Sequence, residues 1–558
     1  MTIRLRPYQQ MALDCLWDYL RVADGNPALV LPTGAGKSPL MAAIASEAVQ
    51  QWQGRVGILA HVQELVAQNA DKLRSYWPEA PMGIYAAGLR KRDRFEKILF
   101  CQIQSVANRA HELGRFDLLL VDEAHRIPLD GEGMYRDFIA ACRRFNPHLR
   151  VIGLTATPYR LQGAAVPVCG PDHILSEIAY EARVGDLIAD GYLSRLVTPG
   201  GLIRADLSAV HTRGGEYVER ELSAAMRADD LVSRTVADLL SRAAGRRAGI
   251  VFCADVAHAE AVLEELRARG ELGEVIHRGT KKAARKAAIE AYQRGLLRWM
   301  VNVNVLSEGF DAPHIDCVAM LRPTKSPGLY YQQVGRGFRL ADGKNDCLVL
   351  DYAGNILEHG PVDAIRVRSA RPGKAATVDT ARVKECPRCN AVLALGIREC
   401  ECGFKFGSAD PSHLDRPVDA PVLSADQPRK ITKHAVHSVK YERGKGKQGK
   451  PDHLRAIYQC GLRRFTDFVC LEHQGNARAS AMRWWQERDA EGGIPRTVEE
   501  ALERAYSLPT PSGITTDETD KWPRITEYEW GAAEPSAAPQ FVNNSAPEWL
   551  RSAMRKAA

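Results

Sequence analysis

Leu31-Pro32-Thr33-Gly34-Ala35-Gly36-Lys37-Ser38 sets glycines ahead of a Lys-Ser pair. Loops of this composition wrap phosphates in backbone N–H groups at a helix N-terminus. In that role Thr33, Gly34, Ala35 and Gly36 form the cradle, Lys37 reaches the β and γ oxygens, and Ser38 offers its hydroxyl to magnesium. Leu31 stands where the usual pattern has its first glycine, and Pro39 falls in the first helical turn, where a missing N–H is tolerated. Asp122-Glu123-Ala124-His125 follows the apolar run Leu118-Leu119-Leu120-Val121, and open α/β sheets place their ligands at the C-terminal ends of such strands. There Asp122 would hold magnesium, and Glu123 would orient and deprotonate an attacking water. Far downstream, Gln332-Gln333-Val334-Gly335-Arg336-Gly337-Phe338-Arg339 brings two arginines beside two glycines. Arg336 and Arg339 suit the charge that develops on a departing γ-phosphate. Each stretch also has a bland reading: a turn without a ligand, a solvated acidic loop, a solvated helix face. Their order and spacing together imply a hydrolase that takes ATP and Mg2+ in a cleft closing between two domains.

The elements that must position these residues are short apolar runs alternating with helical patterns. Ala28–Leu31, Val56–Ala60, Ile98–Phe100, Leu118–Val121 and Val151–Leu154 read as continuous buried strands of a parallel sheet. The intervening segments are long enough for crossover helices. The alternation restarts with Ile250–Phe252, Val275–His277, Met300–Val303, Cys317–Met320 and Leu348–Leu350. The expected fold class is therefore α/β, with two tandem parallel-sheet domains over residues 1–200 and 201–370.

At 558 residues, three or four domains are expected. A hydrophobic share of 45% and a charged share of 26% are ordinary for a globular chain. No apolar run approaches the ~18 residues of a membrane helix, so no membrane partner is expected. Met1–Arg6 lacks the apolar core of a signal peptide, which makes the cytoplasm the expected location. A net charge of +7 is compatible with a polyanionic partner without requiring one.

Of 13 cysteines, four cluster at Cys386, Cys389, Cys400 and Cys402. Two thiolate pairs on turn-like segments suit tetrahedral Zn2+, although the second pair is C-x-C and the spacing is shorter than in a standard ribbon. A zinc-ribbon-like module is expected at 382–408, a linker at 409–430 and a small basic α+β accessory module at 431–507. Residues 508–558 read as a mostly disordered tail. Between 429 and 464 lie eleven Lys/Arg against two acids, with Tyr441 and Tyr458 interleaved, a pattern that can follow phosphates or simply solvate a face. Cys460, Cys470, His453 and His473 fit no standard metal spacing, and Trp484-Trp485 reads as core.

Over residues 1 to about 360 the chain resembles a superfamily 2 helicase of the DEAH-box type, which implies RecA-like domains. Leu5-Arg6-Pro7-Tyr8-Gln9 resembles the element whose glutamine, here Gln9, reads adenine. Ala60–Leu65, with His61, and Ile103-Gln104-Ser105 resemble segments that touch the nucleic-acid backbone. Leu154-Thr155-Ala156-Thr157-Pro158 is similar to the element coupling hydrolysis to domain movement, and His125 joins Thr155 and Thr157 in that implied role. Val303–Asp311 resembles the motif that meets both ribose and strand, which implies roles for Asn304 on the nucleic acid and for Gly309 and Asp311 on the nucleotide. Gln332 matches the glutamine that contacts the acidic motif or the γ-phosphate. Glu308–Pro313 and Gln333–Gly337 are worded as in bacterial and phage DNA-processing helicases and restriction-enzyme motors. Gln332 stands where RNA-type members usually have His, so DNA is favoured over RNA. The implied function is ATP-driven strand separation or translocation. Alternatives are a double-strand translocase, an RNA helicase, and an ATP-switched clamp that recruits a replication or recombination partner through the C-terminal regions.

Overall fold

The computed structural model describes residues 3–363 except 130, 163, 200–204, 206, 208, 214–215, 229, 306–309 and 311; short strands at 366–368, 377–379, 383–385 and 392–394; and 431–530 except 447–450, 462, 474, 490–491 and 519–522. The first sheet has the order Glu177–Glu181, Pro27–Val30, Arg150–Thr155, Leu118–Asp122, Val56–Ala60, Ile98–Gln102, Met82–Ala86, Lys91–Arg92. Every pairing in it is parallel except the terminal Met82–Ala86/Lys91–Arg92 hairpin. The strands expected from continuous apolar runs are all present, because strands covered on both faces need no polar side. Leu29, Leu59, Leu99, Leu119 and Ile152 are fully buried.

A second, wholly parallel sheet runs Arg195–Val197, Asp346–Asp351, Cys317–Leu321, Gly249–Cys253, Trp299–Asn302, Gly273–Ile276. Its core gathers Val251, Val301, Ala319 and Leu350 beneath Val262 and Leu266 of the helix Val256–Ala268. The chain enters this sheet at Arg195, ahead of the change of domain expected at residue 200. These are the two RecA-like parallel-sheet domains.

The described residues from 431 onward carry two three-stranded antiparallel sheets. One orders Ile431–Ala435, Gly513–Asp517, Arg524–Glu529; the other orders Ser438–Gly444, His453–Cys460, Arg463–Val469. Trp484, Trp485, Tyr441 and Tyr458 fill their core with Ala501 and Ile514. Two expectations are corrected here. Gly513–Asp517 and Arg524–Glu529, placed in an irregular tail by composition, are strands: Ile431–Ala435, some eighty residues upstream, supplies the ladder partner of the first, and the first supplies that of the second. Tyr441 and Tyr458 do not interleave the basic side chains at the surface: both are buried. Cys386, Cys389, Cys400 and Cys402 lie outside the described residues. Among the described residues no His/Cys/Asp/Glu group is arranged to hold a metal, and none of the helices is long and apolar enough to cross a membrane.

Candidate nucleotide and nucleic-acid site

The phosphate loop joins the buried strand Pro27–Val30 to the helix Lys37–Gln50. Gly36 occupies the N-cap position in the left-handed region, at φ 78°, which a side chain disfavours. A Cβ there would also meet Gln9 Nε2 at 2.4 Å. Gln9, expected at adenine, is folded onto the loop: its Nε2 donates to the carbonyls of Ala35 (3.0 Å) and Gly36 (3.1 Å), and its Oε1 accepts from the Arg6 N–H (2.9 Å). The Tyr8 hydroxyl donates to the same Ala35 carbonyl at 2.7 Å. In this conformation Gln9 braces the cradle.

Asp122 ends the buried strand Leu118–Asp122, and Glu123 follows it in the left-handed region at φ 51°. That conformation costs a non-glycine residue about 1–2 kcal/mol. It accompanies a Glu123 carboxylate set between Lys37 Nζ, 3.6 Å from Oε1, and His125 Nδ1, 3.4 Å from Oε2. His125 Nδ1 also lies 3.0 Å from Thr155 Oγ1, and that hydroxyl donates to the Thr157 carbonyl (3.0 Å) and accepts from the Thr157 N–H (3.1 Å). Lys37, Glu123, His125, Thr155 and Thr157 therefore form one connected chain of contacts.

A second chain was not legible from motifs. Ser38 Oγ donates to Asn69 Oδ1 at 2.7 Å, and Asn69 Nδ2 donates to Asp122 Oδ2 at 2.9 Å. Asn69 is buried on the helix Gln63–Tyr76 and ties together the two groups expected at magnesium. Burial pushes the Asp122 carboxyl up to about 6; the Glu123 charge adds to this, while Lys37 and the Asn69 hydrogen bond pull it back. Ser38 and Asp122 are the hard oxygen donors that Mg2+ prefers, and Asn69 holds them at one place, so the residues present fit that ion.

The second domain contributes Arg336 and Arg339. Both guanidinium groups donate to the carbonyl of Phe310, at 2.7 and 2.9 Å, which fixes them side by side. Gly335 lets this segment reach the phosphate loop, since a Cβ there would meet Thr33 Cβ at 2.9 Å. A cleft of about 500 Å³ is lined by Thr33, Gly34, Gly36, Lys37, Ser38, Asp122 and Glu123 from one domain and by Arg336 and Arg339 from the other. Gln332 lies elsewhere, lining a neighbouring cavity of about 330 Å³ with His125 and Thr157. Gly309 and Asp311 lie outside the described residues.

The residues expected at nucleic acid all follow parallel strands. His61 comes after Val56–Ala60, and Gln104 and Ser105 after the adjacent Ile98–Gln102, so they share one sheet edge. Gln104 is exposed, whereas the Ser105 hydroxyl accepts from the Ala87 N–H at 2.9 Å. Asn304 follows Trp299–Asn302 in the left-handed region at φ 56°, with its Oδ1 accepting from Arg322.

Residues 2–160 match the family described as type III restriction enzyme, res subunit, and residues 232–341 match the helicase conserved C-terminal domain. The chain is 26% identical over 364 residues to the candidate ATP-dependent helicase IRC3 of Saccharomyces cerevisiae, a match covering 63% of this chain and 51% of that protein. It thus spans about half the length of that relative. It is 27% identical over 300 residues to the type I restriction enzyme EcoKI endonuclease subunit of Escherichia coli K12, covering 45% of this chain and 25% of that one. A fragment structure of a candidate HsdR subunit of a type I restriction enzyme from Vibrio vulnificus YJ016 aligns with TM-score 0.48 and 20% identity, over 64% of this chain and 65% of that one. Both helicase regions are present and in order, and over them the chain is similar to ATP-dependent helicases and to type I restriction enzyme subunits.

Proposed function

We propose that the protein is an ATP-driven motor on nucleic acid, DNA in preference to RNA, that turns hydrolysis into translocation or strand separation. The observation that carries this reading is the single cleft shared by Lys37, Ser38, Asp122 and Glu123 of one domain and Arg336 and Arg339 of the other. The cradle and Lys37 hold the phosphates, with Gln9 and Tyr8 keeping the loop backbone in place. Mg2+, when bound, supplies charge neutralisation between phosphate oxygens; Ser38 and Asp122 would hold it. Glu123 takes the proton of the attacking water, and Lys37 and His125 fix the orientation of its two oxygens. Arg336 and Arg339 stabilise the charge gathering on the departing phosphoryl group. Movement follows from the same contacts. His125, Thr155 and Thr157 link Glu123 to the wall of the cavity that Gln332 also lines, so a change at the γ-phosphate reaches the surface between domains.

The DNA preference draws on the wording of the second-domain motifs and on the restriction-enzyme relatives. ATPase rates with single-stranded DNA, duplex DNA, forked DNA and RNA measured in parallel test it. Stimulation by DNA alone is expected; equal stimulation by RNA overturns the preference, and no stimulation by any of the four overturns the motor. Glu123→Gln should keep nucleotide binding and lose about 10²-fold or more in turnover. A loss below about tenfold removes Glu123 as the base.

A further inference from the structure

The sheet Ser438–Gly444, His453–Cys460, Arg463–Val469 has two unlike faces. Leu454, Ala456 and Tyr458 point into the core, which leaves the alternate residues of the same strand, Arg455 and Ile457, on the other side. Register then sets Glu442, Arg455 and Phe468 in one cross-strand row and Ser438, Gln459 and Arg464 in another. Phe468 is 63% exposed there, outside the core that folds the sheet. The His453 ring lies 5.5 Å from it and rests over Gly444, where a Cβ would meet His453 Nε2 at 2.3 Å.

The face is cationic. Lys440, Arg455 and Arg464 stand against Glu442, which pairs with Lys440 at 3.3 Å and with Arg455 at 2.8 Å. Arg464 donates to the neutral Gln459 Oε1 at 2.8 Å and keeps its full charge. Phe468 and Arg464 are four residues apart on one strand, ~14 Å at ~3.4 Å per residue. An exposed ring beside undercompensated cations on a flat sheet is the chemistry of an unpaired base stacked on an aromatic with its backbone beside a guanidinium. A duplex hides its base faces. A protein partner of ordinary affinity asks for a wider apolar patch than one ring and Ile457.

We propose that this face binds single-stranded nucleic acid, with a base on Phe468 and a backbone phosphate at Arg464. The proposal rests on reading the chain as a nucleic-acid motor. The test is equilibrium binding of labelled oligothymidylate, oligouridylate and a duplex of equal length to the full chain without nucleotide. Phe468→Ala should weaken single-strand binding about tenfold or more, within the range for losing one stacked base, while Phe468→Trp retains it and duplex binding stays unchanged. Arg464→Gln should lower the slope of log affinity against log salt by about 0.7. The oligothymidylate and oligouridylate arms separate DNA from RNA. Unchanged single-strand affinity in a folded Phe468→Ala protein overturns the proposal, as does an equal loss in the Trp variant. Failure of the wild type to bind any of the three probes overturns the motor reading as well, so the two failures are distinct.

Discussion

The nucleotide cleft and the C-terminal module both concentrate basic side chains, and they differ in where the counter-charges come from. In the cleft, Lys37 faces a carboxylate drawn from a neighbouring motif, and the two arginines are held by a backbone carbonyl. In the module, seven of the eleven Lys/Arg between 429 and 464 are described. Five of the seven are ion-paired: Lys433 with Glu529, Lys440 and Arg455 with Glu442, Arg443 with Asp452 and Glu499, Arg463 with Glu518. Three of those acids come from segments more than fifty residues downstream. A basic run counted along the sequence therefore overstates the charge that the fold presents, whereas in the cleft the pairing acid itself belongs to a recognisable motif.

The largest test of this contrast falls on the arginine pair. Arg336→Ala should reduce ATP turnover by about 10³-fold or more, because an arginine at the transferring phosphate contributes on that scale. Arg339→Ala should follow the same direction, since both guanidinium groups are fixed by the Phe310 carbonyl. Nucleotide affinity should change far less than turnover. Equal losses in binding and turnover would make the pair a ground-state phosphate clamp, and the contrast would then lie only in position.

The cleft's acid side gives a smaller, pH-dependent effect. Asp122, pushed up to about 6 chiefly by burial, must be ionised to hold magnesium. Protons compete below that pH, so the Mg2+ concentration for half-maximal nucleotide binding should rise about tenfold per pH unit below ~6 and level off above it. The Asn69 hydrogen bond favours the ionised carboxylate, so Asn69→Ala should move the break to higher pH and raise the Mg2+ requirement at pH 6.5. An unchanged break would leave Asn69 as packing between two helices.

What the sequence made legible follows the same division. The phosphate loop and the acidic motif are each a contiguous stretch, legible before its neighbours in space are known. The continuous apolar runs announce buried parallel strands without needing a partner. Asn69 carried no such signal: it matters because the helix Gln63–Tyr76 packs beside the phosphate-loop helix, a fact of topology. Gln9 was recognised and its present contacts were not, since its hydrogen bonds to Ala35 and Gly36 depend on the left-handed turn of Gly36. The strand Gly513–Asp517 was hidden because ladder pairing with Ile431–Ala435 decides its structure more than its own composition does.

The smallest effect tests the module's charge pairing itself. A cation that already has a carboxylate as its counter-ion releases no bulk ion when a phosphate approaches, so it adds nothing to the salt dependence of binding. The double variant Lys433→Gln, Arg463→Gln removes two paired cations, whereas Lys445→Gln, Arg464→Gln removes two for which no ion pair is seen among the described residues. Both doubles should fold: the exposed Lys433–Glu529 pair contributes only ~0–1 kcal/mol, and the largely buried Glu518 keeps its contacts to His434 and Thr516 when Arg463 is lost. With single-stranded DNA, the slope of log affinity against log salt should be unchanged in the first double and lower by about 1.4 in the second. A comparable drop in both would mean that the pairs open on binding and that Glu518 and Glu529 yield their cations to the strand. The module would then resemble the cleft, a site whose internal pairs serve as placeholders for phosphate.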